Sequence, residues 1–169
     1  MMDLATAQRH AEKIMGALSP MCDRIEVSGS IRRQRETCND IDIVVLPHYG
    51  LQRKVRERCL QTCPEIRQDG DCNLSFVLHG GVQVDVWFAT HPRPDMFQPQ
   101  PSTFGTRLLC RTGSRQFNIW FATQAVEKGF KWNPYWGLYR ETRCVAAESE
   151  ADMFRVLDLE YIQPEDRER

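Results

Sequence analysis

The run "NDIDIVVLP", Asn39 to Pro47, is dominated by branched apolar residues and closed by proline, which predicts a buried strand with Asp40 and Asp42 set into its beginning. Strand side chains alternate faces, so the two carboxylates share one face while Ile41, Ile43 and Val45 share the other. "VQVDVWF", residues 82–88, repeats the device, with Val82, Val84 and Val86 on one face and Asp85 on the opposite one. If the two strands are neighbours in one sheet, three carboxylates meet. Their mutual repulsion and partial burial then require a positive partner. Two divalent cations would serve, and hard oxygen ligands of this kind suit Mg²⁺ or Mn²⁺. The plainer alternative is that each Asp is a strand-edge or turn residue facing water.

The rest of the chain supplies elements for such a sheet. "DLATAQRHAEKIMGAL", residues 3–18, places Leu4, Ala7, Ala11, Ile14, Met15 and Leu18 at helical spacing, with Pro20 as the stop. "RIEVSGS" reads as a strand meeting a tight turn. Residues 51–62 read as a helix, and 74–79 and 82–89 as strands joined by Gly80-Gly81. Helix, strand, strand, helix and hairpin make an α/β lobe. "THPRPDMFQPQPSTFG", residues 90–105, holds four prolines and no convincing period, and is expected to be a loop or hinge. Beyond it come a helix over 114–128 ending at Gly129, a hairpin of "WGLYR" and "RCVAA", and a short helix opened by the Ser cap and acidic turn of "SEADMFRVLDL".

Composition bounds the function. With 41 % apolar and 27 % charged residues in 169, the chain is of the globular class. It has no apolar run near the roughly 20 residues of a membrane span and no signal-peptide pattern, so an intracellular protein is expected, cytoplasmic or a viral product in a host cell. Seven cysteines, an odd number without a repeated CxxC, predict free thiols, and the spacing of Cys59, Cys63, Cys72 and His79 is not that of common zinc modules. The formal net charge of −1 conceals a balance of +5 over residues 93–143 and −5 over 148–169. That pattern suits a protein holding a phosphate backbone on one face, or two solvated faces of opposite sign. Phe117 and Phe121, four apart, are expected in the core, and Trp132 and Trp136 are the aromatics expected to be exposed. His10, His48, His79 and His91 are scattered and take no assigned role.

Before the carboxylates, Gly29-Ser30 forms a strand-to-helix turn able to offer N–H groups and a hydroxyl to an anion, beside Arg32 and Arg33. With the D-x-D that follows, this describes a site for a metal-bound polyphosphate. At these residues the chain resembles the nucleotidyltransferase superfamily. "GSIRRQRETCNDIDIVV" and "VQVDVWF" are similar to the palm of the family X DNA polymerases, "TGSRQFNIWFATQAVEKGF" (112–130) to their nucleotide-binding thumb, and "ESEADMFRVLDLEYIQPEDRER" to their closing segment. The resemblance spans residues 4–168.

It implies an α+β or α/β fold, with a nucleotidyltransferase palm of mixed sheet and flanking helices over 1–92, a proline-rich connection over 93–104 and a small α+β thumb over 105–169. It looks like the compact palm-and-thumb form of small virally encoded members, without a lyase domain. Asp40 and Asp42 would bind both of two Mg²⁺ (or Mn²⁺) ions, and Asp85 the catalytic one near the primer 3′-hydroxyl. Gly29, Ser30 and Arg33, helped by the backbone at Asn39, would hold the β- and γ-phosphates. Thr112 and Gly113 would lie along the sugar, with Arg115 and Asn118 flanking the incoming base. Arg111, Lys128, Lys131 and Tyr135 would contact DNA, Tyr135 near the templating strand. The implied activity is template-directed addition of dNTPs in gapped DNA during repair, by a monomer.

The departures bear on specificity. Cys110 and Arg111 replace the aromatic pair that helps exclude a ribose 2′-hydroxyl, which opens the choice between dNTP and rNTP. Ala122 replaces an arginine that reaches the template minor groove, so low fidelity is expected, and Gln83 replaces a basic residue beside Asp85. The proline-rich insert before Phe104 is longer than the usual connection. Two alternatives follow: a template-independent terminal transferase or ribonucleotide-adding enzyme, and a non-catalytic DNA- or nucleotide-binding module.

Overall fold

The computed structural model describes residues 1–61, 63, 65–96 and 98–168. The chain divides into two compact units, Met1–Ala89 and Thr90 onward.

The first unit opens with a short strand β1 (Met2–Asp3) and α1 (Leu4–Leu18), whose N-cap Asp3 accepts the Thr6 amide at 2.8 Å. β2 (Cys22–Val27), α2 (Gly29–Arg32), β3 (Thr37–Cys38), β4 (Asp40–Pro47), α3 (Gln52–Leu60), β5 (Glu65–Gly70), β6 (Asn73–Val77) and β7 (Gln83–Phe88) follow. Five strands form one sheet in the order β2-β4-β7-β6-β5, parallel at β4–β7 and antiparallel elsewhere. Its core face carries Ile41, Ile43, Val84, Val86 and Phe76, and is covered by Ala7, Ala11 and Leu18 of α1 and Val55 and Cys59 of α3. This is the mixed sheet with flanking helices that the sequence predicts. The helix expected over 51–62 is shorter, running Gln52–Leu60 with Gln61 as its C-cap; Thr62 lies outside the described residues. All seven cysteines are free thiols.

The second unit holds α4 (Phe104–Thr112), α5 (Arg115–Glu127), a three-stranded sheet of β8 (Lys131–Asn133), β9 (Gly137–Arg140) and β10 (Arg143–Ala146), and α6 (Glu150–Val156). Its core gathers Leu109, Phe117, Phe121, Leu138, Met153, Phe154 and Leu157. Ser114 and Ser149 cap α5 and α6 as Ncap residues. The proline-rich stretch falls in this unit as a loop tied to itself: Arg93 and Gln100 exchange two backbone bonds, and Thr90 N–H donates to Thr103 Oγ1 at 2.9 Å. Phe97, within it, lies outside the described residues.

Trp132 corrects a sequence expectation. It packs edge-on to Phe121 at 5.1 Å and donates its Nε1–H to Thr106 Oγ1 at 2.9 Å, so it belongs to the core margin, whereas Trp136 is 41 % exposed.

Candidate active site

In the first unit the parallel pairing of β4 and β7 puts Asp42 directly opposite Asp85 and Asp40 opposite Gln83. By the alternation of strand side chains, all three carboxylates lie on the face away from the helices. Beside them, Gly29 opens α2 with φ +60°, and a Cβ built there would stand 2.3 Å from Asp42 Oδ2. Only glycine fits both the left-handed backbone and the close approach. Ser28 N–H donates to the Asp42 carbonyl at 2.8 Å, which locks the turn to the strand. The Ser28 and Ser30 hydroxyl oxygens are buried without a hydrogen-bond partner among the described residues, a state that costs free energy unless a ligand or water completes it. Asn39 is exposed immediately before Asp40.

The electrostatics follow from that crowding. Burial, then the negative charge of Asp85, push the Asp40 carboxyl above its ordinary value, and the Arg33 guanidinium partly offsets them. Two neutral donors on β7 hold the other acids: Gln83 Nε2 donates to Asp85 Oδ2 at 3.1 Å, and Trp87 Nε1 to Asp42 Oδ1 at 3.2 Å. Among the described residues no three His, Cys, Asp or Glu side chains are gathered into a ready metal cage. The convergence expected from the sequence is therefore one of strand position, with Asp42 and Asp85 turned toward Trp87 and Gln83. The donor set, three carboxylates with the orphaned Ser28 and Ser30 hydroxyls, is of the hard oxygen type that suits Mg²⁺ or Mn²⁺.

In the second unit, Thr112 ends α4 with its side chain fully buried, and Gly113 is the C-cap. Arg115 is exposed on the first turn of α5. Asn118 donates to the Cys110 carbonyl at 2.8 Å, so it ties α5 to α4 rather than standing free. Cys110 and Arg111 are half-buried, and Lys128, Lys131 and Tyr135 are exposed. Arg111 reaches the Tyr135 hydroxyl at 3.5 Å.

A family model of the DNA polymerase beta thumb matches residues 107–168. DNA polymerase/3′-5′ exonuclease PolX of Bacillus subtilis is 30 % identical over 168 residues, covering 96 % of this chain and 28 % of that protein. DNA polymerase IV of Saccharomyces cerevisiae is 33 % identical over 75 residues, 44 % of this chain and 13 % of that protein. The chain thus spans well under a third of either relative. Along nearly its whole length the chain is similar to family X DNA polymerases, and over residues 107–168 to the polymerase beta thumb. Its fold is that of Leishmania infantum polymerase beta, whose ternary gap complex matches with a TM-score of 0.80 at 18 % identity, covering 99 % of this chain and 71 % of that one. The ternary P/T complex of the same protein gives 0.78 at 19 %, covering 99 % and 77 %.

Against this family X frame, three residues near the sites escape a sequence reading. Trp87 shares a face with Asp85, a parity visible in "VDVW", but a bond to Asp42 needs the β4–β7 register. Arg107 is buried with its three nitrogens lacking hydrogen-bond partners among the described residues, and it stacks on Tyr135 at 4.7 Å. Arg167, inside the acidic closing segment, is 0 % exposed and paired with Glu150 at 2.7 Å. No helix among the described residues is long and apolar enough to cross a membrane.

Proposed function

We propose that this chain adds nucleotides to a primer 3′-hydroxyl, filling gaps in duplex DNA under template direction, as a monomer in a repair pathway. The observation that carries the reading is the register of Asp42 opposite Asp85 on neighbouring parallel strands, with Asp40 on the same face and the Gly29-Ser30 turn closed against Asp42. Divalent cations, held by Asp40, Asp42 and Asp85, would supply Lewis-acid activation and charge neutralisation in phosphoryl transfer.

The chain's own groups divide the remaining work. Ser30, through its unpartnered hydroxyl, and Arg33, through its charge, bind the β- and γ-phosphates at the turn, helped by the backbone of the exposed residue Asn39. Asp85 orients the primer hydroxyl and can take its proton at a carboxylate oxygen. Gly113 and Thr112 shape the sugar position through their backbone, since the Thr112 side chain is buried. Arg115 flanks the base, and Asn118 fixes the Cys110 segment on which sugar selection rests. Cys110 carries a small thiol in place of the aromatic ring that would exclude a 2′-hydroxyl, and this favours acceptance of rNTP alongside dNTP. Ala122 offers no donor to the template minor groove, in keeping with low fidelity. Arg111, Lys128, Lys131 and Tyr135 face the DNA.

Single-nucleotide extension on a one-nucleotide gapped duplex with Mg²⁺, comparing dNTP with rNTP, tests this. Template-directed extension is expected, falling about a hundredfold or more in Asp85→Ala, because the loss removes a group acting at the reacting atoms. Growth of a lone single strand without template choice would instead make the protein a terminal transferase. No extension on either substrate would reject catalysis and leave a binding module.

A further inference from the structure

On the core face of the first sheet, away from the carboxylates, a cavity of about 280 Å³ opens between α1, the end of α3 and β6. Phe76 in its floor stands opposite Val84 in the sheet register, whereas Asp85 stands opposite Ser75, so cavity and candidate active site occupy opposite faces. α1 contributes His10, Lys13, Ile14 and Ala17, spaced i, i+3, i+4 and i+7 along one stripe of the helix. Leu18, Cys59, Phe76 and Leu78 complete an apolar floor, and Arg58 and His79 close the rim.

The rim has one sign. Four of the ten lining residues are basic and none is acidic, in a chain with 22 Lys and Arg against 23 Asp and Glu. Among the described residues none of the four is engaged in an ion pair: Arg58 donates to the neutral Gln61 carboxamide at 2.7 Å, while the neighbouring Glu57 is taken by Arg53 at 3.1 Å. Lys13 and Arg58, cations outside any ion pair among the described residues, beside an apolar hollow are complementary to an apolar group flanked by negative charge. The volume suits one bulky side chain, the type of anchor that dominates protein interfaces. Duplex DNA could neutralise the rim, but its phosphates and sugars have nothing to fill the floor.

We infer that this cavity is a docking site for an acidic segment of a partner protein, which inserts one bulky apolar side chain between α1, α3 and β6 under a rim of Lys13, Arg58, His10 and His79. The inference is independent of the polymerase reading, because it uses none of the residues of the carboxylate face.

The test uses a fluorescein-labelled heptapeptide with three acidic residues on each side of a central tryptophan, titrated into the full chain, against the same peptide centred on alanine. The alanine peptide is expected to bind at least about tenfold more weakly. Ala17→Leu, which fills the floor, should reduce the tryptophan peptide to the level of the alanine one with the thermal melt preserved. Lys13→Glu with Arg58→Glu, both exposed changes, should weaken both peptides, and this pair decides the matter should Ala17→Leu fail to fold. Equal binding of the two peptides, or binding by neither, overturns the inference. Displacement by gapped duplex with no effect of Ala17→Leu also overturns it and reassigns the cations to nucleic acid.

Discussion

At the scale of single residues, the carboxylate face is held together by what is absent from Gly29 and by what is present on β7. Gly29→Ala places a methyl group 2.3 Å from Asp42 Oδ2 and strains a left-handed backbone by roughly 1–2 kcal/mol. The expected outcome is loss of most primer extension with the far-ultraviolet spectrum retained, and an active, normally melting variant would separate the turn from the site. Asp40 carries a pH signature. Its folded value lies above its unfolded one, through burial and the charge of Asp85, so the native state binds the proton more readily. Stability therefore falls as pH rises from the ordinary carboxylate range through the raised value, and the penalty persists at neutral pH. Asp40→Asn should melt higher than wild type at pH 7 without divalent cation. The gap should vanish on acidification below the ordinary range, and shrink when Mg²⁺ stabilises the wild type. A variant melting lower than wild type throughout would refute the electrostatic account. Asp40, Asp42 and Asp85 were legible in the sequence because charge inside a β-branched run has few physical excuses. Gln83 and Trp87 as their holders were not, since those bonds depend on which strands are neighbours.

At the scale of elements, the legible pieces are those with a period or a cap. α1 announces itself by apolar spacing and α6 by the Ser149 cap, while the caps at Asp3 and Ser114 show only in the structure. β5 is missed because its residues are exposed up to Gly70 and, apart from Ile66 and that glycine, polar, and pairing with β6 alone makes it a strand. α4 is missed because it follows prolines and opens with Phe104-Gly105. A Cβ on Gly105 would stand 2.5 Å from the Ser149 backbone, so the glycine serves packing against the start of α6, not a turn. The closing segment misleads in the other direction. Its acidic balance suggests a solvated tail, yet Arg167 is ringed by Phe117, Phe154 and Tyr161 at 5.0, 5.7 and 5.3 Å and paired with buried Glu150. Its carbonyl accepts the Ser114 N–H at 3.3 Å, which ties the segment to the Gly113-Ser114 turn. Arg167→Leu removes the Arg167 charge from the buried Glu150 carboxylate, which keeps the Tyr161 hydroxyl at 2.8 Å, and should cost about 3–5 kcal/mol in chemical denaturation. Replacing Glu150 and Arg167 together with apolar residues should recover much of that, whereas equal losses in single and double variants would show that the pair itself adds little.

At the scale of the whole molecule, a net charge of −1 is compatible with binding DNA only because the charge is unevenly placed. Of the eight Lys and Arg residues in 93–143, Arg93, Arg115, Lys128, Lys131, Arg140 and Arg143 are exposed, while Arg107 is buried and Arg111 half-buried. The exposed cations, not the total, set the salt dependence. If half of the exposed set reaches phosphates, log affinity for gapped duplex should fall against log salt with a slope of about −2.7, each contact contributing about −0.9. Lys131→Glu should then flatten the slope by about one contact or more and weaken binding across all sequences alike. Lys13→Glu, on the cavity of the first unit, should leave the slope unchanged, because that cation belongs to a rim around an apolar floor. Anisotropy titrations of the full chain at several salt concentrations give both slopes. A slope indifferent to Lys131→Glu yet sensitive to Lys13→Glu would move the nucleic-acid face to the first unit, and would leave the basic stretch of 93–143 as no more than a solvated surface.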